Sequence, residues 1–446
     1  MKISLLRVSL ALSFFAVTSV AFAERGNPEI AYKGESVDAL VSAYMKEHKV
    51  PSLSVAIVQA PYITRVQGYG FSDTGRKLLA GSNTLYDIGQ MAEAFTAVAI
   101  LQLVEQGKVK LDDPIQQYIQ LVPQAWHNVT VRQLLQHQSG LPDYTKAKPE
   151  NTDDTQAALF QAVSNTGPTF EPGTKTEPSA TDHLLLQLVI ENASGQSYES
   201  FVKSNQIDKL GLKHTFFAGE AAALPRDLPA NNEKPKKFLE EAAFINPTEP
   251  ATGYQGADPA PPVDTRTLPA RAAIYATAED ISTWDIGLAG QILIKDPELR
   301  KVIYTPAKLK DGAVVKTSGP WDFPGHPGLM VTTGSGQGFS SLLSRYTDAK
   351  ELLCVTLLAN QEGLDLQPLA ERIAAAYDAN IKPTEPKKEE PPAPTPTPAP
   401  AEAPAASPAP KAEAKPAPKP EDKPAAKAEA KPEATPATSP AAAETP

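Results

Sequence analysis

Ser36 stands where a helix N-cap belongs and predicts a helix over residues 36–48. Two runs, 52–59 and 63–70, separated by Ala60-Pro61-Tyr62, read as strands, followed by a polar turn region over 70–83. From 88 to 106 the chain is apolar on nearly every side, with Phe95, Val98, Ile100, Leu101, Leu103 and Val104; a helix of that kind is buried, and Gly107 ends it. Residues 129–136 predict a short helix broken by Ser139-Gly140-Leu141-Pro142. Another helix starts at Thr181 or Asp182, runs through Leu184, Leu185, Leu188, Val189 and Ile190, and stops at Gly195. A helix over 279–292, paired strands over 338–346 and 351–358, and an amphipathic helix over 366–377 complete the pattern. Strands at both ends with helices between them imply an α/β body of two lobes. A central antiparallel sheet is built from both chain ends and flanked by helices, a mainly helical lobe is inserted, and the cleft between lobes is the expected site.

The ends change this picture. Lys2 and Arg7 precede an apolar run over 8–20, and Ala21-Phe22-Ala23 gives a small-x-small cleavage pattern, so residues 1–23 read as a signal peptide and the mature chain is expected to start at Glu24. The run is short for a membrane span, and no cysteine follows it to carry a lipid anchor. No transmembrane anchor is therefore expected after cleavage, and the chain is expected to be secreted, periplasmic or cell-wall associated. From Lys382 to Pro446 the composition is Pro, Ala, Lys, Glu and Thr with no aromatic residue. Such a segment cannot bury enough surface to offset the entropy of ordering. It reads as a disordered soluble tail, or as a spacer that touches cell wall, with a reach on the order of 200 Å if fully extended. Residues 24–381 are read as one domain, in which 218–269 forms a long loop-rich insertion.

A formal charge of −10 argues against a nucleic-acid partner. The single cysteine, Cys354, lies in an apolar strand-like run and is read as a core residue. The six histidines show no metal-ligand spacing, so neither a metal nor another cofactor is expected.

Several stretches resemble one family in order: Val66-Gln67-Gly68-Tyr69-Gly70, Thr84-Leu85-Tyr86-Asp87-Ile88-Gly89, the run from Leu101 to Pro114, and Thr130-Val131-Arg132-Gln133-Leu134-Leu135-Gln136-His137-Gln138-Ser139-Gly140-Leu141. Pro172-Gly173, Ser194-Gly195-Gln196-Ser197-Tyr198, Leu210-Gly211-Leu212, Thr277-Ala278-Glu279-Asp280 and Gly338-Phe339-Ser340-Ser341 continue it. Over residues 35–377 the chain is similar to the serine β-lactamases and penicillin-binding proteins, in the branch of class C β-lactamases, D-alanyl-D-alanine carboxypeptidases and related esterases. The resemblance implies that family's two-lobed fold, and a cleft chemistry carried by three clusters. In Ser-x-x-Lys the serine attacks an acyl carbon and the lysine, on the same helical face, takes its proton. Gln90 stands where the serine would and Glu93 where the lysine would. In place of Tyr-x-Asn stands Pro178-Ser179-Ala180, and in place of Lys-Thr-Gly or His-x-Gly stands Thr332-Thr333-Gly334, with the glycine kept and the cationic or imidazole side chain lost.

With all three clusters changed at their reacting side chains, the expectation is a catalytically inactive member that binds or regulates. Gln90, Glu93, Ser179, Thr332, Thr333 and Gly334 would line the cleft, and a peptidoglycan peptide or a periplasmic protein would be the partner. The alternative is an active serine hydrolase of esterase, peptidase or β-lactamase type with a displaced nucleophile, such as Ser179 or Ser335 with Glu93 as base. Two literal matches are discounted: Ser200-Phe201-Val202-Lys203 as a surface helix, and Lys316-Thr317-Ser318-Gly319 as a turn. His137 is read as structural, and Glu93 as a carboxylate favoured in a first helical turn.

Overall fold

Strands from the two ends of the chain lie side by side at the centre of the sheet. The computed structural model describes residues 30–146, 156–224, 248–261, 274–347 and 353–384. The signal-peptide reading, nearly all of the tail and much of the 218–269 insertion lie outside the described residues. Helix α1 (Val37–His48) is capped by Ser36, whose hydroxyl accepts from the Ala39 N–H. Strands β1 (Ser52–Gln59) and β2 (Tyr62–Asp73) follow, and a 3-10 turn, Gly89–Met91, leads into α2 (Ala92–Glu105). Next come α3 (Val131–Leu135), with a reciprocal Thr130–Gln133 capping box, and α4 (Ala180–Ser194), stopped by Gly195 at φ +73°. Helix α5 (Ala278–Ala289), strands β3 (Leu329–Gly336), β4 (Phe339–Tyr346) and β5 (Leu353–Ala359), and helix α6 (Gln367–Tyr377) close the body.

The sheet is antiparallel, in the order Thr317–Ser318, Trp321–Asp322, β3, β4, β5, β1, β2, Leu78–Leu79. The β5–β1 seam, with Leu357 opposite Val55, joins the two chain ends as the periodicity predicted. Residues alternate across the pleat. Val55 and Ile57 of β1 join Leu40 and Val41 of α1 and Leu369 and Ile373 of α6 in one core. Ala56 and Val58 face a larger core built on α2 and α5. Both faces are covered, so the strands read as continuous apolar runs rather than alternating ones. Between β2 and β3 in sequence the chain is largely helical, and α2 is buried from Ala92 to Leu103. Phe95 stacks on Trp284 of α5 with ring centroids 4.5 Å apart.

One expectation is corrected. Thr317-Ser318 was assigned to a turn, but it pairs with Trp321–Asp322 as an edge hairpin, and the bend is made by Gly319, at φ +63°, with Pro320. Cys354 is buried among core residues as expected, and burial followed by the nearby Asp285 carboxylate pushes its thiol well above the usual range, so it is no nucleophile. Among the described residues no helix is long and apolar enough to cross a membrane.

Two buried carboxylates generate predictions. Arg345 of β4 donates through Nε to Asp285 Oδ1 at 2.8 Å and through Nη2 to Oδ2, tying α5 to the sheet. Asp285 is 3 % exposed. Removing one member of such a pair strands the other charge in the core. Asp285→Ala is expected to cost about 3–5 kcal/mol in urea unfolding followed by Trp284 fluorescence. The double replacement Asp285→Ala/Arg345→Met is expected to cost much less than that.

Asp87, buried beside the 3-10 turn, accepts from the Gly89 N–H at 2.8 Å on Oδ1, while Oδ2 has no hydrogen-bond partner. Burial raises its pKa to about 7, against the lowering by the Gly89 bond. A raised carboxyl contributes stability that is full below its unfolded pKa and lost as pH rises through the folded one. Asp87→Asn should therefore gain stability over the wild type progressively from about pH 4 to pH 7, by on the order of a few kcal/mol, and hold that gain above pH 7. Thermal unfolding at a series of pH values reads this directly, and a difference independent of pH would contradict it.

Candidate functional site

The 3-10 turn at the entrance of α2 presses against β3 so closely that only glycine fits. A Cβ on Gly334 would lie 2.0 Å from the Ile88 carbonyl oxygen and 2.9 Å from the Gln90 nitrogen. Ser341 of β4 fastens the same contact, its Oγ donating to the Ile88 carbonyl at 2.8 Å. Thr332-Thr333-Gly334 therefore sits beside the start of the buried helix.

Gln90 lies at the head of this contact, half-buried. Its Oε1 accepts from the Ser335 backbone N–H at 2.6 Å. A backbone N–H beside a helix start is the kind of donor that stabilises a developing oxyanion. Here the carboxamide oxygen of Gln90 already occupies it. Thr332, two residues before Gly334 and on the same face of β3, is 2 % exposed, and its Oγ1 has no hydrogen-bond partner. Thr333 falls on the other face and is exposed, so its side chain does not join Gln90 and Thr332 in one lining.

Ser179 is also elsewhere engaged. Its hydroxyl caps α4 by accepting from the Thr181 N–H at 3.2 Å. With Pro178 it borders a cavity of about 320 Å³ shaped by Leu141, Val163 and Phe170, whose lining includes neither Gln90 nor Thr332. Ala180 is the buried first residue of α4.

Glu93 lies one helical turn beyond Gln90 and points into a buried charged cluster. Its Oε2 is 3.0 Å from His183 Nε2 and 3.5 Å from His137 Nε2. The two Nε2 atoms are 3.4 Å apart. His137 Nδ1 faces Asp182 Oδ2 at 3.2 Å, and Ser139 Oγ donates to Asp182 Oδ1. All five side chains are buried. Burial alone would lower the His137 pKa, but its bonds to Asp182 and Glu93 outweigh that and push it up to about 10. Burial would likewise raise the Glu93 carboxyl; the charge of His183 and the bond from His137 instead hold it well below the usual carboxylate range. Asp182 is pushed upward by burial against the pull of His137 and Ser139.

This cluster corrects two expectations. Glu93 is not simply a carboxylate placed for its helix terminus, and the His137 ring does more than shape the core. The histidines, without ligand spacing in sequence, are brought together with Glu93 as a group able to hold a metal ion. Asp182, His183 and Ser139 were missed as site residues. The available signal was Asp182-His183 at the head of an apolar helix, where polar side chains enter the core only with partners.

The two discounted matches stay apart from the site. Ser200 accepts from the Ser197 Oγ in a short helix, and Lys203 pairs with Glu220 at 3.6 Å near the surface. Ser335, besides its N–H to Gln90, accepts on Oγ from the Gly363 N–H at 3.4 Å.

Comparison with known proteins agrees with this geometry. The Beta-lactamase family model matches residues 37–378. Penicillin-binding protein 4* of Bacillus subtilis (strain 168) is 25% identical over 350 residues, covering 72% of each chain. Protein flp of Staphylococcus aureus (strain MW2) is 26% identical over 189 residues; the match takes in 41% of this chain but only 38% of that relative's length. Among solved structures, the octameric penicillin-binding protein homologue from Pyrococcus abyssi shares the fold with a TM-score of 0.63 at 21% identity, covering 78% of this chain and 77% of its own. A class C beta-lactamase does so with a TM-score of 0.60 at 20% identity, covering 76% and 94%. A family match across most of the chain, on a fold in which the buried helix meets β3 at Gly334, establishes that this chain belongs to the Beta-lactamase family.

Proposed function

We propose that this chain is a catalytically inactive member of its family, exported from the cell, which binds ligand at the cell wall without acyl transfer. The observation that carries the reading is the Gln90 carboxamide on the Ser335 N–H. Acyl transfer needs a nucleophile, a base beside it and a free donor for the oxyanion. At the head of α2 the first is replaced by a carboxamide, and the donor is taken by that same group. The residue one turn on is a carboxylate engaged with His137 and His183. The displaced-nucleophile alternative has less support, because Ser179 is spent capping α4 and the Ser335 hydroxyl faces Gly363. A relative named for penicillin binding makes a peptidoglycan peptide the first ligand to try.

The test is covalent labelling with a fluorescent penicillin and a fluorophosphonate, alongside p-nitrophenyl ester turnover. Wild-type protein is expected to show neither, and to bind a D-alanyl-D-alanine peptide without cleaving it. The double variant Gln90→Ser/Glu93→Lys serves as the comparison, and labelling gained there would show that the cleft itself survives. Wild-type labelling that maps to one serine would overturn the reading.

A further inference from the structure

Glu93, His137 and His183 come from three separate elements, α2, the turn after α3, and α4, yet they present one ligand atom each to the same small space. The triangle of Glu93 Oε2, His137 Nε2 and His183 Nε2 has edges of 3.0, 3.4 and 3.5 Å. A zinc-class ion sits about 2.0–2.2 Å from nitrogen and oxygen ligands in a tetrahedral arrangement, which sets ligand–ligand separations of about 3.3–3.5 Å. The triangle already has nearly these dimensions, and side-chain shifts of a few tenths of an ångström would complete the match.

Hydrogen bonding satisfies this arrangement only in part, because His183 Nδ1 is buried without a hydrogen-bond partner. Two imidazole nitrogens 3.4 Å apart repel if both carry protons or if neither does, and hydrogen-bond only when one donates to the other. A cation among the three atoms takes one lone pair from each of them. The support behind the triangle has the same character. Asp182 Oδ2 faces His137 Nδ1 at 3.2 Å and is itself held by Ser139. A carboxylate behind an imidazole fixes the tautomer in which the far nitrogen, here Nε2, is the ligand, and this is the usual outer arrangement of metal-bound histidine.

We infer that Glu93, His137 and His183 form a binding site for one divalent transition-metal ion of the zinc class, positioned by Asp182 and built where the family's catalytic lysine would stand. Two imidazoles and one carboxylate select this class over magnesium or calcium, which take all-oxygen sites. Three protein ligands leave a tetrahedral ion one position for water or a ligand donor. The Glu93 side chain is 10 % exposed and lies one turn below Gln90. The inference stands independently of the inactive-enzyme reading, because ion binding is measured without substrate.

The experiment uses the full chain, freed of metal by chelator dialysis, and titrated with zinc and with cobalt(II) by calorimetry and visible absorption. One ion per chain is expected, with the intense visible bands of four-coordinate cobalt. Asp182→Asn is expected to weaken zinc binding about 10–100-fold, the range for loss of an outer carboxylate. Glu93→Gln and His183→Gln are expected to weaken it at least as much, each checked for native circular dichroism. Should a variant fail to fold, the cobalt spectrum of the wild type still decides. No binding by the wild type, a weak six-coordinate cobalt spectrum, or unchanged affinity in all three variants would overturn the site.

Discussion

The contact between β3 and the entrance of α2 is the constraint on which the rest of this structure depends. Gly334 lets the strand run within van der Waals reach of the Ile88 carbonyl, and Ser341 fastens that carbonyl to the sheet. The sheet is assembled from both chain ends, so this is where the chain's last strands are locked onto a helix contributed by its middle. Moving the helix entrance would disturb Gln90, the Ser335 N–H and Thr332 together, and one turn further on Glu93 as well.

With Gln90 and Glu93 at the head of α2, the polar interior around that helix must be satisfied by its neighbours. Glu93 places a carboxylate in the core, and such a group needs positive partners. His137 and His183 supply them, and Asp182 holds His137 from behind. The same four side chains thus account for the stability of a buried charge and for a potential ion site. The Gln90 carboxamide likewise satisfies a backbone donor that would otherwise face the cleft unpaired. Gln90 and Glu93 are thus both engaged by neighbouring groups.

Much of the fold was legible in the sequence. The cap at Ser36, the all-round apolar run that became α2, the stop at Gly195 and the paired strands near the C-terminal end all lie within a few residues of where periodicity and turn chemistry put them. Gln90 and Gly334 were legible because they sit in ordered motifs. The Glu93–His137–His183 group was not. Its members are separated by 44 and 46 residues and meet only through the packing of α2, α3 and α4, which no local spacing encodes. Ser179 was misplaced in the lining for a related reason: motif position gave its place in the chain, but its hydroxyl was claimed by the helix N-terminus beside it.

The central claim is that the family's frame is intact while the place of the acyl oxygen is filled by Gln90. Crystals of the wild-type protein soaked in a β-lactam test it most directly. The account predicts that the Gln90 oxygen stays on the Ser335 N–H and that no serine carries an acyl group. Continuous density from any serine to an opened lactam ring, with Gln90 swung away, would contradict it.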